Sequence, residues 1–289
     1  MSASRHALVF VAILLSTCSL LRGGVFAEET PAAATRIIVI YRVDLVGFNL
    51  GDFRLTMVLK GSGYQMKGEG HFSILAGLIY DARGTTESSG KFTSSGPKPA
   101  MYALSYAGGN QRGQLRMIFD SGAVTKVSMV PDKKPNPHDI PITKEELEGV
   151  FDPMTGAFLH AHSHDPNGDL KVCDQTIPVF DGERRFDIAL TPKRTVRVQK
   201  EAPTGYSGYA AVCGVKFIPI SGYRPDNPGI KLMSQTDKIE VWLVSLPGTD
   251  MYLPYRIVLP TVVGYGSATL TSFQAEKGSR ARLESSSQP

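Results

Sequence analysis

The chain of 289 residues has few cysteines, little net charge and no long apolar stretch beyond its N-terminus. Three cysteines are too few for a small scaffold held together by disulfides. The formal net charge is only +4 and is scattered along the chain, so we expect no nucleic-acid partner. No apolar run reaches the about 20 residues that a membrane-spanning helix needs. Hydrophobic residues still make up 42% of the sequence, which excludes a wholly disordered chain.

Several catalytic motifs are also missing. There is no Gly-x-Ser-x-Gly nucleophile elbow, no His-Glu-x-x-His zinc motif, no P-loop and no Gly-x-Gly-x-x-Gly after a strand. The absence of Cys-x-x-Cys argues against a thiol oxidoreductase. We therefore predict no catalytic residue, and the sequence favours a binding protein over an enzyme.

The first 27 residues are predicted to be an export signal. Arg5 and His6 precede the apolar run Ala7–Leu21, and Val25 and Ala27 supply the small residues of a cleavage site. Cleavage after Ala27 would deliver a soluble chain to the periplasm. One alternative is a retained anchor helix, for which the apolar run is short. The other is a lipoprotein modified at Cys18, for which Thr17 is a poor preceding residue.

Removal of this segment would leave two cysteines, Cys173 and Cys213. Two cysteines in an exported chain indicate one disulfide. The competing interpretation is a pair of free thiols or a redox site, and no Cys-x-x-Cys spacing supports it.

Strand patterns dominate the remaining sequence. Residues 28–35 form a polar lead-in, and residues 36–274 are predicted to be a single β-rich domain. In Asp52–Lys60, for example, apolar residues alternate at period two, and short turns rich in glycine separate successive strands. Such short turns produce antiparallel pairs. Residues 275–289 are polar and are predicted to be a disordered tail.

One helical insertion interrupts the strands, at residues 143–164. Thr143 and Glu146 form a capping box, and Asp152 followed by Pro153 marks the start of a helix that we expect to continue to His164. About a dozen strands around this insertion indicate an all-β fold. We predict a long curled antiparallel sheet, an open barrel or β-spiral, around a short helical insertion, with one disulfide.

Two segments carry a resemblance to a known family. They are CDQTIPVFDGERRFD at Cys173–Asp187 and CGVKFIPISGYR at Cys213–Arg224. With Tyr41-Arg42-Val43 leading into Gly47-x-x-x-Gly51, the chain resembles the bacterial envelope family named domain of unknown function 3108, from about Ile38 to Phe273. The resemblance implies a periplasmic all-β protein, and by looser analogy a fold similar to lipoprotein carriers and β-spiral envelope-integrity proteins. It implies the Cys173–Cys213 disulfide and a tight turn at Asp181-Gly182, and no catalytic residue.

Three histidines are the sharpest candidate for chemistry. On a strand, His160, His162 and His164 would share one face and could hold a tetrahedral Zn²⁺ with an open position. On the predicted helix, only His160 and His164 share a face, and a nearby Asp165 or Asp169 would have to complete the site. The alternative is a polar helix end without a metal.

Candidate ligand-binding residues are more scattered. They are two arginines beside a turn, one arginine on a basic strand and two tyrosines of the C-terminal half: Arg184, Arg185, Arg197, Tyr206 and Tyr209. Each has a structural alternative, since charged turns form salt bridges, basic strands protect sheet edges and tyrosines bury their rings.

Two hypotheses for function follow. The first is a non-enzymatic envelope protein that binds a lipid, lipoprotein or cell-wall component in the concave face of the sheet, and it requires an apolar groove next to the Asp152–His164 helix. The alternative is a metal-dependent hydrolase of envelope polymers that uses the histidine cluster. A scaffold that acts through protein contacts alone remains a third, less specific interpretation.

Overall fold

Alternating apolar and polar residues form fourteen strands in the described part of the chain. The computed structural model describes residues 34–74, 80–132, 136–157, 159–160, 168–200, 203–246 and 251–277. The strands are β1 (Thr35–Leu45), β2 (Phe48–Lys60), β3 (Gly63–Ile74), β4 (Tyr80–Thr93), β5 (Gly96–Gly108), β6 (Gln111–Asp120), β7 (Ala123–Val130), β8 (Leu159–His160), β9 (Gln175–Phe180), β10 (Arg185–Val198), β11 (Gly208–Ser221), β12 (Ile239–Ser245), β13 (Met251–Thr261) and β14 (Gly264–Lys277).

The strands form one antiparallel sheet in the order β7-β6-β5-β4-β3-β2-β1-β14-β13-β12-β11-β10-β9, and β8 adds to β13 outside this path. Nearly every neighbouring pair is a hairpin, because turns this short cannot make parallel crossovers. There are two exceptions: β11 and β12 are joined through residues 222–238, and β1 pairs with β14, the first strand with the last. The all-β curled sheet with one disulfide is therefore confirmed, and its hydrogen-bonded path does not close across the described residues.

The two strands at the ends of this path, β7 and β9, are joined by a short segment. Gly149 donates its backbone N–H to Gly122 O (2.7 Å) beside β7, and Phe151 donates to Pro178 O (2.8 Å) on β9. Val150, between them, is buried in a cluster with Leu115, Phe180 and other apolar residues. The segment thus covers one end of each edge strand, where backbone groups would otherwise be unpaired.

The helical insertion is much shorter than predicted. The capping box is present, since Thr143 and Glu146 exchange two hydrogen bonds, but it opens only a 3₁₀ turn at Glu145–Leu147. Helix α1 covers only Pro153–Gly156, and Leu159–His160 then pair with β13 as a strand. The prediction of a helix to His164 is therefore wrong, because sheet pairing takes over the backbone.

A second helix, α2 (Pro228–Gln235), lies between β11 and β12, where no helix was predicted. Asn227 caps it by accepting hydrogen bonds from the backbone N–H groups of Gly229 and Ile230, with Pro228 in the first turn. A second 3₁₀ turn covers Leu170–Cys173. None of the helices in the described segments has the length and apolar character to cross a bilayer.

The ends of the β-rich region also differ slightly from the prediction. β1 begins at Thr35, inside the predicted lead-in, and β14 continues to Lys277, inside the predicted tail. Residues 1–33 and 278–289 lie outside the described residues, and so do the predicted export signal and Cys18.

Candidate functional site

An apolar groove lies on the face of β9–β13 that α1 covers. Its volume is about 290 Å³, near the lower end of the about 300–1,000 Å³ typical of ligand sites. Five strands, α1 and α2 contribute lining residues that are uncharged and almost all apolar: Pro153, Gly156, Ala157, Ile177, Val179, Phe186, Ile188, Leu190, Val215, Phe217, Met233, Ile239, Val241, Leu243, Pro254, Ile257 and Leu259. An apolar groove therefore lies beside α1, which is shorter than the predicted helix.

Strand register explains why these side chains meet. On β10, Ile188 lies opposite Ile177 of β9 and Phe217 of β11. Leu190 lies opposite Val215, which in turn lies opposite Ile239 of β12. Because directly opposed residues share a face, alternate apolar positions on each strand build one continuous wall.

The groove is deep at one end and accessible at the other. Leu243 and Val179 are almost fully buried, whereas Phe217, Leu259 and Met233 are only partly buried. Met233 belongs to α2, which packs against β11 and β13. An elongated apolar group could enter past α2 and extend toward α1.

Helix α1 is held in place by a buried polar cluster. Asp152 accepts hydrogen bonds from the backbone N–H groups of Met154 and Thr155 (both 3.0 Å) and from the Ser88 hydroxyl (3.1 Å). The Thr155 hydroxyl lies 2.9 Å from the Tyr64 hydroxyl. Burial raises the pKa of Asp152, although these hydrogen bonds lower it. The cluster fixes α1 against β3 and β4, and so positions one wall of the groove.

The disulfide lies against the same region. Cys173 and Cys213 are bonded and fully buried, as predicted. Cys213 lies on β11 between Ala211 and Val215, and it faces Val241 of β12. The bond attaches the 3₁₀ turn Leu170–Cys173 to the apolar cluster beneath the groove.

The structure describes the backbone of only one of the three candidate zinc ligands. His160 lies in β8, where it pairs with Met251 of β13, while His162 and His164 lie outside the described residues. Within the described segments, no group of three His, Cys, Asp or Glu side chains is arranged to hold a metal ion. The zinc site stays a prediction.

The candidate ligand-binding residues do not line the groove. Arg185 forms an ion pair with Asp187 and donates from Nε to the backbone O of Glu146 (3.1 Å). Arg184 is more exposed and lies 3.8 Å from Asp181, whose carboxylate accepts the turn's backbone N–H groups. The Tyr206 ring packs against Tyr255, and its hydroxyl donates to the backbone O of Tyr209. Arg197 borders a separate cleft on the opposite side of β12. Their role in binding stays a prediction.

Glu240 on β12 pairs with two basic residues of β10, Lys193 and Arg194. Lys193 donates to this carboxylate (3.1 Å), and Arg194 donates to both of its oxygens (3.2 and 3.3 Å). Arg194 and Arg256 also lie over the Trp242 ring, at 5.9 and 5.7 Å from its centre. The hydrogen bonds from Arg194, followed by those from Lys193 and Trp242, lower the pKa of Glu240 to about 2.

We expect Glu240→Gln to reduce the free energy of unfolding at pH 7 by about 1 kcal/mol, a small value because the partners are partly exposed to water. A lowered carboxyl pKa contributes stability above the unfolded value of about 4.3, and this contribution disappears as the pH falls toward 2. Urea titrations at pH 7 and pH 3 measure the difference between wild type and variant. Glu87→Gln, an exposed carboxylate on β4, is the matched control. Because the folded pKa is about 2, the difference should be smaller at pH 3 than at pH 7 without vanishing, and a difference that does not decrease would contradict the ion-pair explanation.

Sequence reasoning missed the groove residues themselves. Apolar alternation in β10, β11 and β12 identifies a buried face, but it does not distinguish a filled core from a groove. The α2 helix was missed as well, although Asn227-Pro228 carries the same signal as Asp152-Pro153. Recognising it would have placed Met233 near the sheet.

Comparisons with known proteins place the chain in a family. A search of curated proteins finds no match. A solved structure, titled as a beta-barrel-like protein of domain of unknown function DUF1849 from Brucella abortus, is 8% identical and has a TM-score of 0.47, and the match covers 85% of this chain and 99% of that one. The family model described as "Protein of unknown function (DUF3108)" matches residues 40–271. The chain therefore belongs to the DUF3108 family.

Proposed function

We propose that this protein binds one acyl chain of a lipid, lipoprotein or lipid-linked cell-wall component in the apolar groove, without chemical conversion. The observation that carries the proposal is a groove of about 290 Å³ whose lining residues are uncharged and contributed by five neighbouring strands. Two larger clefts, of about 710 and 740 Å³, contain charged side chains such as Arg54, Glu69 and Arg42, and are less suited to a hydrocarbon chain.

The dimensions of the groove favour one chain with its polar group outside. Hydrocarbon gains about 0.8 kcal/mol for each methylene removed from water, so a chain of several methylenes supplies enough free energy for binding. No charged side chain lines the groove to pair with a headgroup. Specificity for the headgroup would then come from residues beyond the mouth, near Phe217 and Leu259.

A fluorescent fatty acid tests this proposal. The purified protein, with its disulfide formed, is titrated with cis-parinaric acid, whose emission rises in apolar surroundings. We expect saturable binding of one molecule per chain. Val215→Trp places a large ring in the groove at a partly buried position and should weaken binding at least tenfold. Val127→Trp, on the exposed edge strand β7, is the matched control and should bind as wild type does.

Circular dichroism and thermal melting show whether both variants fold. Phe217→Ala, which widens the mouth without filling the groove, should keep binding within a fewfold of wild type. Absence of saturable binding by wild type, or unchanged binding by a folded Val215→Trp, would refute the proposal.

Native mass spectrometry of protein purified without chelators tests the metal-hydrolase alternative. An added mass of one zinc that His160→Ala removes would favour that function instead.

A further inference from the structure

Two hairpin turns of this sheet have an unusual composition. Four of the six two-residue turns in the described segments consist of glycine and polar residues, as turn geometry favours: Gly61-Ser62, Ser94-Ser95, Gly109-Asn110 and Ser121-Gly122. The other two are Val46-Gly47, between β1 and β2, and Val262-Val263, between β13 and β14. Valine has no role in forming such a turn, so local folding does not explain its presence here.

Val46 adopts a backbone conformation that valine disfavours. Its φ is +52°, and Gly47 follows at +82°, which is the left-handed pair that Asn-Gly normally supplies. A β-branched side chain is strained there. Unfavourable backbone conformations persist where surrounding structure or function requires the residue, and Val46 is itself half-exposed.

The two valine turns lie side by side. The backbone N–H of Val46 donates to Tyr265 O (2.8 Å), because β1 and β14 are neighbours. Around this contact, five side chains form what we call the apolar tip: Val46, Phe48, Val262, Val263 and Tyr265. They are five of the nine large hydrophobic residues that are exposed in the described segments, and Val262 and Phe48 expose 80% and 75% of their surface. Apolar exposure is therefore concentrated at one place.

Positive charge lies in a cleft that borders the apolar tip. Arg42 and Arg256 both lie opposite Thr269 of β14, on either side of it, and both line a cleft of about 740 Å³ that the tip also borders. Arg42 is paired with Asp44 (3.1 Å), whereas the buried Nε of Arg256 has no hydrogen-bond acceptor in the described structure. The adjoining cleft on the same side adds Arg197 and Lys200. An anionic group in these clefts would lie beside both Arg42 and Arg256, which line them.

We propose that the apolar tip inserts into the surface of a lipid bilayer, with Arg42 and Arg256 contacting phosphates of anionic lipids. Exposed aliphatic and aromatic side chains beside arginines match the layered chemistry of a membrane surface, where acyl chains lie beneath phosphates. Five projecting side chains are too few for a stable protein interface, which usually needs about 20–30 residues on each side. The inference is independent of the acyl-chain site, because no tip residue lines the groove.

Vesicle flotation tests this surface. Wild-type protein is mixed with vesicles of phosphatidylcholine alone, or of phosphatidylcholine with 30 mol% phosphatidylglycerol added as roughly the anionic content of a charged membrane. The tip variant carries Val46→Asn, Val262→Ser and Val263→Ser, and the control carries Val127→Asn and Val130→Ser, which alter exposed valines of β7. We expect wild type and control to float with the anionic vesicles, and the tip variant to bind at least tenfold more weakly.

The tip variant is expected to fold as well as wild type does. Val46→Asn creates the preferred Asn-Gly turn, so the variant should melt no lower than wild type. Arg42→Gln with Arg256→Gln should remove the preference for anionic over neutral vesicles.

Other outcomes would overturn the proposal. They are absence of vesicle binding by wild type, equal binding by the tip variant, or a dimer in light scattering that only the tip variant loses, which would assign the surface to a second copy of the chain. Val215→Trp should still float, and the tip variant should still bind cis-parinaric acid, so the two proposals can fail separately.

Discussion

Replacing Cys213 with serine is expected to lower the free energy of unfolding by about 4 kcal/mol. The disulfide joins residues 40 positions apart, and closing a loop of this size in the unfolded chain has about that value in the chain-entropy model. Both cysteines are fully buried in the apolar cluster beneath the groove. The serine hydroxyl of the variant would therefore be buried among apolar side chains, which adds to the loss of stability. Urea denaturation under oxidising conditions measures the loss.

The design includes two internal controls. Cys173→Ser should match Cys213→Ser, and the double variant should be little worse than either, because each change breaks the same bond. Dithiothreitol should destabilise wild type and leave the double variant unchanged. Losses that add in the double variant, or a wild type insensitive to dithiothreitol, would show that the bond is not what stabilises the fold. We also expect weaker binding of cis-parinaric acid, since Cys213 lies next to the groove residue Val215.

Asp152→Ala should destabilise the protein by about 2–3 kcal/mol. It removes the cap of α1, typically worth about 1 kcal/mol, and leaves the buried Ser88 hydroxyl and two backbone N–H groups with fewer acceptors. Asp152→Asn keeps an amide oxygen for the backbone groups and should cost much less. Urea denaturation at pH 7 compares the two variants, and equal losses would contradict the capping role.

The pH dependence isolates the charge of Asp152. Because burial raises the pKa of this carboxyl in the folded state, folding favours the protonated form. The resulting stability is fully present below the unfolded pKa of about 3.9 and is lost as the pH rises through the raised folded value. The stability of wild type relative to Asp152→Asn should therefore fall as the pH rises from 4 to 7. A difference that is constant over this range would show that folding does not raise the pKa of Asp152.

The local parts of the fold could be predicted because local chemistry decides them. Period-two alternation in Asp52–Lys60 and short polar turns such as Ser121-Gly122 specify hairpins within a few residues of chain. The Thr143–Glu146 capping box formed its two hydrogen bonds as expected. The length of the helix could not be predicted in this way. α1 ends at Gly156, and Leu159–His160 then pair with β13, which lies far along the chain.

The candidate site depended on contacts that no local pattern contains. Asp152 was identified as a helix cap, but its hydrogen bond with Ser88 joins positions 64 residues apart. Arg185 was considered a candidate for binding, and it donates to Glu146, 39 residues away. In both cases the residue type suggested a polar contact, and only the fold determined whether that contact was a ligand or the protein itself.

The sequence by itself determined that the chain forms an all-β sheet of hairpins, because strand periodicity and turn residues act over short distances. It predicted one disulfide on the expectation that cleavage removes Cys18 and leaves two cysteines. Only the tertiary structure decided that β1 pairs with β14, and that five strands and two helices leave an apolar groove unfilled. It also brought the turns at Val46 and Val262, far apart in the chain, together in one tip. The physical reason is that side-chain alternation specifies which face of a strand is apolar. What that face meets is set by strand order and curvature, which depend on the packing of the whole sheet.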